Sequence, residues 1–353
     1  MQNSKPKIFN IALCSFGMSG LVFHAPLINA HTGFSFYAVW ERTKNIAATI
    51  YPNVITYKTF DEILLDKNID VVVINTPSIT HYDFTKQALL AGKNVIVEKP
   101  FTATTKEAAE LIALAASKKL LLSVFHNRRF VSDYKTVKKV IESKVLGDIK
   151  EVEINFHRFT PALSIKPHKE ANTGAVGILY DLGSHIIDQA LQLFGMPQAL
   201  FADIMRMRKG SLVDDYFEII LFYPNFRVRL KASFFAKEPQ GYIIHGSKGS
   251  FIKTMADVQE EDLKANKNPL DKDWGIEPTS AKGLLHYEKD GIAIKENITS
   301  EVGNYLEYYN EIYKALLQNN IENKIAEDAK KVIQIIELAM VSNIERRMID
   351  INL

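Results

Sequence analysis

Ser15-Phe16-Gly17-Met18-Ser19-Gly20 stands between an apolar stretch, Ile8 to Cys14, that reads as a strand, and Leu21 to Ala30, that reads as a helix. A strand that turns into a helix through G-x-G-x-x-G is the fingerprint of a dinucleotide-binding turn. Here Ser15 takes the first glycine position, while Gly17 and Gly20 keep the second and third. Gly17 would let the backbone approach a pyrophosphate, and Gly20 would let helix and strand pack closely. The helix N-terminus would offer unpaired amides to the phosphates. The competing reading is an ordinary tight turn, which also uses glycine. An acidic residue at the end of the second strand, about 20 residues on, would bind ribose hydroxyls. Phe34 to Trp40 reads as that strand, and Glu41 follows it.

Outward from the turn, strand and helix signals alternate up to residue 125. Strands are expected at Ile8–Ser15, Phe34–Trp40, Val54–Tyr57, Val71–Asn75, Asn94–Glu98 and Leu120–Phe125, with helices at Thr80–Ala91 and Thr104–Lys118. Short apolar strands alternating with helices predict an α/β Rossmann-type, doubly wound parallel sheet, with its ligand crevice at the carboxyl ends of the strands. Asn75-Thr76-Pro77 and Glu98-Lys99-Pro100 fall at two such ends, which makes Asn75, Thr76, Pro77 and Glu98 candidates to bind the cofactor. After Phe125 the pattern changes. Helices read at Tyr134–Leu146 and Asp181–Phe194, and longer strands at Lys150–Arg158, Tyr216–Phe222, Arg227–Phe235 and Tyr242–His245. These predict a mostly antiparallel sheet with one exposed face. Residues 255–290 read as a polar arm outside the core, and helices near Asn304–Gln318 and Ala326–Arg346 close the chain. The expected division is a dinucleotide-binding domain over 1–125 and a substrate-binding and oligomerisation domain over 126–353.

The bulk properties narrow the function. The chain has 353 residues, 47% hydrophobic and 24% charged, with a net charge of +2. That charge is too small for nucleic acid or an anionic membrane to be the main partner. The single cysteine, Cys14, has no partner for an internal disulfide, and no metal site is expected. No uncharged run reaches the 18 residues or so of a membrane span. A soluble, cytoplasmic protein is expected.

Three groups of residues could carry chemistry. Lys99 at the cofactor edge of the sheet could polarise a reacting oxygen, although most lysines are simply solvated. Asp181 and His185 are four apart, so on an α-helix they share a face, with Asp188 continuing it. A histidine suits hydroxyl deprotonation near neutral pH; a surface pair is the plainer alternative. His126, Arg128 and Arg129 follow the sixth strand, and Arg158 follows His157. These could bind substrate hydroxyls, or serve only as a hinge and a solvated strand face.

The chain resembles the Gfo/Idh/MocA oxidoreductases, and within them the scyllo-inositol dehydrogenase-like branch. The resemblance runs nearly full length and rests on Phe23 to Ile28, Glu98-Lys99-Pro100, Ser123 to Arg129, Tyr180 to Gln189 and His245 to Ser250. It implies hydride exchange between NAD or NADP and an alcohol of a cyclitol or sugar. It also implies a homodimer or homotetramer built through the open sheet. By resemblance His185 exchanges the hydroxyl proton, Lys99 polarises the oxygen and Asp181 helps bind substrate. Glu41 leans the cofactor choice to NAD, while Arg42 and Lys44 could accept a 2′-phosphate. A non-catalytic nucleotide sensor on the same fold is the alternative.

Overall fold

The computed structural model describes residues 7–171, 173–237, 241–318 and 323–351. They divide into two compact units. The first is Met1–Asn127, Gln259–Trp274 and Asn304–Lys330; the second is Arg128–Val258, Gly275–Gly303 and Lys331–Leu353.

The first unit is built on six parallel strands: β1 (Phe9–Leu13), β2 (Phe34–Trp40), β3 (Ile55–Tyr57), β4 (Val71–Ile74), β5 (Asn94–Val97) and β6 (Leu122–Val124). Their order is β3-β2-β1-β4-β5-β6, the doubly wound order of dinucleotide-binding sheets. All four residues of β4 are buried, as a strand covered on both faces requires. Two helices begin with capping boxes, Thr59 with Glu62 and Thr104 with Glu107. Each box satisfies two amides that a helix start otherwise leaves open.

The later segments complete this unit. Helix Leu306–Gln318 brings an aromatic face to the sheet. Tyr309 and Tyr313 pack edge-on to Phe34, and Tyr308 Oη lies 2.9 Å from Ser123 Oγ. Residues 259–274, expected as part of an external arm, instead belong to this unit's interior. Leu263 and Trp274 are buried, and Trp274 Nε1 donates to Gln259 Oε1. The segment is polar along its length but pins itself by these two apolar anchors, a pattern that average composition hides.

The second unit carries nine strands, adding β7 (Ile149–Asn155), β8 (Ala199–Met205), β9 (Tyr216–Phe222), β10 (Arg227–Ser233), β11 (Gly241–Gly246), β12 (Gly249–Thr254), β13 (Gly283–Lys289), β14 (Ile292–Ile298) and β15 (Ile349–Asp350). Their order is β14-β13-β12-β11-β7-β10-β9-β8-β15. Only the β7–β10 pair is parallel. Along β9, Phe217, Ile219 and Leu221 are buried while Tyr216, Glu218, Ile220 and Phe222 are half-exposed. That alternation is the mark of one covered and one open face.

Strands β13 and β14 overturn the rest of the expected arm. They join through Asp290-Gly291, both with positive φ. Asp-Gly is the dipeptide that a two-residue hairpin turn prefers. β14 is an edge strand of the sheet and neither strand alternates cleanly between apolar and polar residues, so their pattern is faint while their turn chemistry is explicit.

Candidate functional site

In the first unit, the turn after β1 is closed by its own polar groups. Gly17 N donates to Ser15 Oγ at 3.2 Å, so the hydroxyl at the usual glycine position tightens the turn. Asn75, just past β4, donates from Nδ2 to Ser15 O at 2.8 Å. A Cβ on Gly20 would lie 2.3 Å from Ser15 O and 2.9 Å from Asn75 Nδ2, so only glycine fits there. A Cβ on Gly17 would meet nothing closer than Ser15 Oγ at 3.5 Å. The protein's own packing therefore does not demand glycine at 17, whereas a ligand pressed against the backbone would.

The helix that follows starts earlier than expected, at Ser19, and its first stretch, Ser19–His24, is π-helical before α-helix takes over at Ala25. No side chain caps that start. Leu21 N already donates to Gly17 O at 2.9 Å, which leaves the amides of Ser19 and Gly20 ahead of it for another acceptor such as a phosphate. Asn75 Oδ1 is buried and accepts no hydrogen bond among the described residues. An unmet buried acceptor costs about 1–3 kcal/mol, and a hydroxyl or amide of a bound dinucleotide would satisfy it. These residues thus fit a nicotinamide dinucleotide.

Two of the expected cofactor ligands are otherwise engaged. Glu41 is buried, and its two carboxylate oxygens accept from the amides of Ile46 (3.1 Å) and Ala47 (3.0 Å) at the start of the next helix. Arg42 and Lys44 beside it are exposed. Glu98 is a brace: Ser19 Oγ donates to its Oε1, His24 Nε2 lies 3.0 Å from the same oxygen, and Lys99 N donates to Oε2 at 3.1 Å. Burial alone would raise the Glu98 carboxyl. The hydrogen bond and charge of His24, with Ser19 and Lys99, hold it down at about 2. The carboxylate ties the glycine turn to the turn bearing Lys99.

Sequence reading missed two histidines here. His24 Nδ1 lies 2.7 Å from Tyr309 Oη, completing a buried Tyr309–His24–Glu98 line. His81 is buried with Nδ1 2.7 Å from Pro100 O and Nε2 3.0 Å from Thr76 O. It staples the two candidate turns to each other. Thr76 Oγ1 and Thr80 Oγ1 lie 2.7 Å apart, and Pro77 caps the short 3-10 turn Ser78–Thr80. The Lys99–Pro100 peptide is cis. His126, at the end of β6, is buried in this unit.

In the second unit, Asp181 and His185 lie on one continuous helical run, but not with plain α-helical spacing. Leu179–Gly183 is π-helical and Ser184–Phe194 is α-helical. Such a widened turn is frequent at functional sites. Asp181 is half-buried and His185 is 7% exposed. Asp188 does not extend a ligand face. It holds Arg129 through two charged bonds, Nε to Oδ2 at 2.8 Å and Nη2 to Oδ1 at 2.5 Å.

His185 lines a cavity of about 170 Å³ together with Arg128, Asp133, Phe156, Gln189 and Asp257. Arg128 Nη1 lies 3.5 Å from Asp257 Oδ2, and its guanidinium stands over the Phe156 ring. Arg158 is exposed beyond the end of β7 and is not part of this lining. Asp133, Gln189 and Asp257 escaped sequence reading. Asp133 looks like an ordinary acid in a helix's first turn, where the dipole favours one, and Asp257 lies in the stretch read as an arm. Among the described residues no group of three or more His, Cys, Asp or Glu could hold a metal ion, and no helix is long and apolar enough to cross a membrane.

A doubly wound sheet with a glycine-bearing phosphate turn, and a polar cavity lined by a histidine, define a nicotinamide-dependent dehydrogenase. The chain belongs to the Gfo/Idh/MocA oxidoreductase family. Residues 9–126 match its NAD-binding Rossmann fold and residues 138–351 its C-terminal alpha/beta domain. The chain is 36% identical to the scyllo-inositol 2-dehydrogenase (NADP+) of Bacillus subtilis over 346 residues, 98% of this chain and 96% of that one. An oxidoreductase structure from Bacteroides fragilis superposes with a TM-score of 0.88 at 42% identity, covering 98% of this chain and all of that one (100%). Levoglucosan dehydrogenase, solved with NADH and levoglucosan, shares the fold at a TM-score of 0.80 and 18% identity, over 98% of this chain and 100% of its own.

Proposed function

We propose that the protein exchanges a hydride between NADP(H) and a secondary alcohol of a polyhydroxylated ring, a cyclitol such as scyllo-inositol or a sugar. The observation that carries the reading is the cavity beside His185. It presents a guanidinium, carboxyl groups, an amide and an imidazole, a set that matches a ring rich in hydroxyls. The cofactor, when bound, supplies the carbon that accepts or gives the hydride. In the oxidation His185 takes the hydroxyl proton, Lys99 stabilises the developing alkoxide by its charge, and Asp181 holds a neighbouring hydroxyl. Incubation with a cyclitol and sugar panel, following absorbance of reduced nicotinamide, tests it. Absence of turnover across the panel, or full turnover in a Lys99→Ala, His185→Ala double variant, overturns these roles.

The preference for NADP rests on Glu41. Glu41 is buried and caps the next helix, while exposed Arg42 and Lys44 suit a 2′-phosphate. Arg42→Ala should weaken NADP use by about 10- to 100-fold, the worth of a charged hydrogen bond, and leave NAD use unchanged. Equal loss with both cofactors sinks the assignment.

Half-exposed Ile220, Phe222 and Ile243 share the open face of the second unit's sheet with the Arg229–Glu153 ion pair, and this mixed face supports a homodimer or homotetramer formed there. Light scattering on the purified protein tests it, and a monomer at micromolar concentration rejects it.

A further inference from the structure

The cavity beside His185 backs onto a buried cluster with more acids than bases. Three carboxyl groups, Asp133, Asp257 and Glu277, meet two cations, Lys253 and Arg128, and all five lie in the second unit. Lys253 has no proton to spare. Its Nζ donates to Glu277 Oε2 at 2.7 Å, to Thr254 O at 2.9 Å and to Ala281 O at 2.8 Å, which uses its three donors. Arg128 stands by Asp257. The hydrogen-bond partners of Asp133 are neutral: Ala256 N donates to Oδ2 at 3.2 Å, and Tyr242 Oη lies 3.2 Å from Oδ1.

The hydrogen bonds around Tyr242 accommodate a hydrogen on Asp133. Gln189 Nε2 donates to Arg128 O at 3.0 Å, which turns Gln189 Oε1 towards Tyr242 Oη, 3.0 Å away. The Tyr242 hydroxyl faces two oxygens with one proton. Where that proton goes to Gln189 Oε1, a hydrogen on the Asp133 acid completes the 3.2 Å contact with Tyr242 Oη. The electrostatics agree: burial, then the charges of Asp257 and Glu277, push Asp133 up to about 7 against the opposing pull of Lys253 and Arg128. Burial and Asp133 also push the Tyr242 hydroxyl well up, so it stays neutral.

We propose that Asp133 is the proton store for His185, passing its carboxylic-acid proton through water in the shared cavity when the enzyme reduces a carbonyl. This rests on the proton exchange at His185 proposed above. The step balances. Hydride from the reduced nicotinamide goes to the carbonyl carbon, and His185 gives its proton to the oxygen. Asp133 reprotonates the imidazole and becomes a carboxylate, which is reloaded from solvent. The cavity also takes the substrate ring, so the transfer runs through the water that remains beside it, each molecule needing about 30 Å³. Asp133 is a positioning and proton-holding residue; it does not touch the reacting atoms.

Asp133→Asn separates this role from a structural one, because an asparagine amide reproduces the donor to Tyr242 and the acceptor for Ala256 but carries no transferable proton. In wild type, carbonyl reduction should decline as pH rises through about 7. In Asp133→Asn that limb should vanish and kcat below it fall about 10-fold or more. Carbon-13 NMR of aspartate-labelled wild type, which needs no variant to fold, should show a carboxyl titrating near 7. If that carboxyl is ionised well below neutral pH, the store is refuted while the redox reading stands. An unchanged pH profile in Asp133→Asn also refutes it. If the carboxyl titrates as expected but no substrate turns over, the redox reading fails and the relay with it.

Discussion

The glycine turn of the first unit and the cavity of the second are both polar sites, but they are built in opposite ways. The turn is backbone and omission: six consecutive residues, two of them without side chains, with Ser15 Oγ and Asn75 Nδ2 closing it. The cavity is side chains brought from four separate stretches, Arg128 to Asp133, Phe156, the helix with His185 and Gln189, and Met255 to Asp257. The difference teaches where a mutation will act. In the turn an added atom does harm; in the cavity a removed or uncharged one does.

The largest expected effect lies on the cavity side. His185→Ala should lower kcat for alcohol oxidation by about 100- to 10,000-fold, the usual worth of a general base. Cofactor affinity, read by fluorescence titration, should stay unchanged. A matching fall in affinity would blur the contrast between the two sites.

On the turn side the two glycines should part company. Gly20→Ala pushes a methyl into Ser15 O and Asn75, so about 1–3 kcal/mol of stability should be lost in denaturant titration, with cofactor affinity down by about 10-fold or more. Gly17→Ala has room in the protein, so stability should stay within about 0.5 kcal/mol while affinity still falls about 10-fold. Undiminished binding in Gly17→Ala would mean that no phosphate presses on that backbone.

The last effect is a slope. The native carboxyl of Asp133 holds its proton up to about pH 7, whereas in the unfolded chain an aspartate loses it near 3.9. The native state therefore binds the extra proton between these values. Stability should fall as pH rises from about 4 to about 7, and level off above, by an amount on the order of a few kcal/mol. Asp133→Asn should flatten that slope. A wild-type curve already flat there would place a carboxylate at Asp133.

Much of the first unit was legible because its signals are local. All six strands were named within a few residues at each end, since a strand buried on both faces writes itself as an apolar run, and the alternation with helices made the sheet parallel. The hairpin of β13 and β14 was passed over for the converse reason. An edge strand has little apolar pattern, and its one clear sign, Asp290-Gly291, is two residues long.

By itself the sequence determined the parallel sheet and the mostly antiparallel sheet, and it pointed to the glycine turn and to the residues that resemblance assigns to chemistry: Lys99, Asp181 and His185. Those follow from periodicity and short motifs, which are properties of neighbours along the chain. Tertiary structure alone decided that Glu41 caps a helix, that Glu98 and His81 brace the turns around Lys99, and that Asp133 is shut in with Asp257 and Glu277 behind His185. A carboxyl group's partners and solvation depend on atoms far away in sequence, and its charge state depends on both.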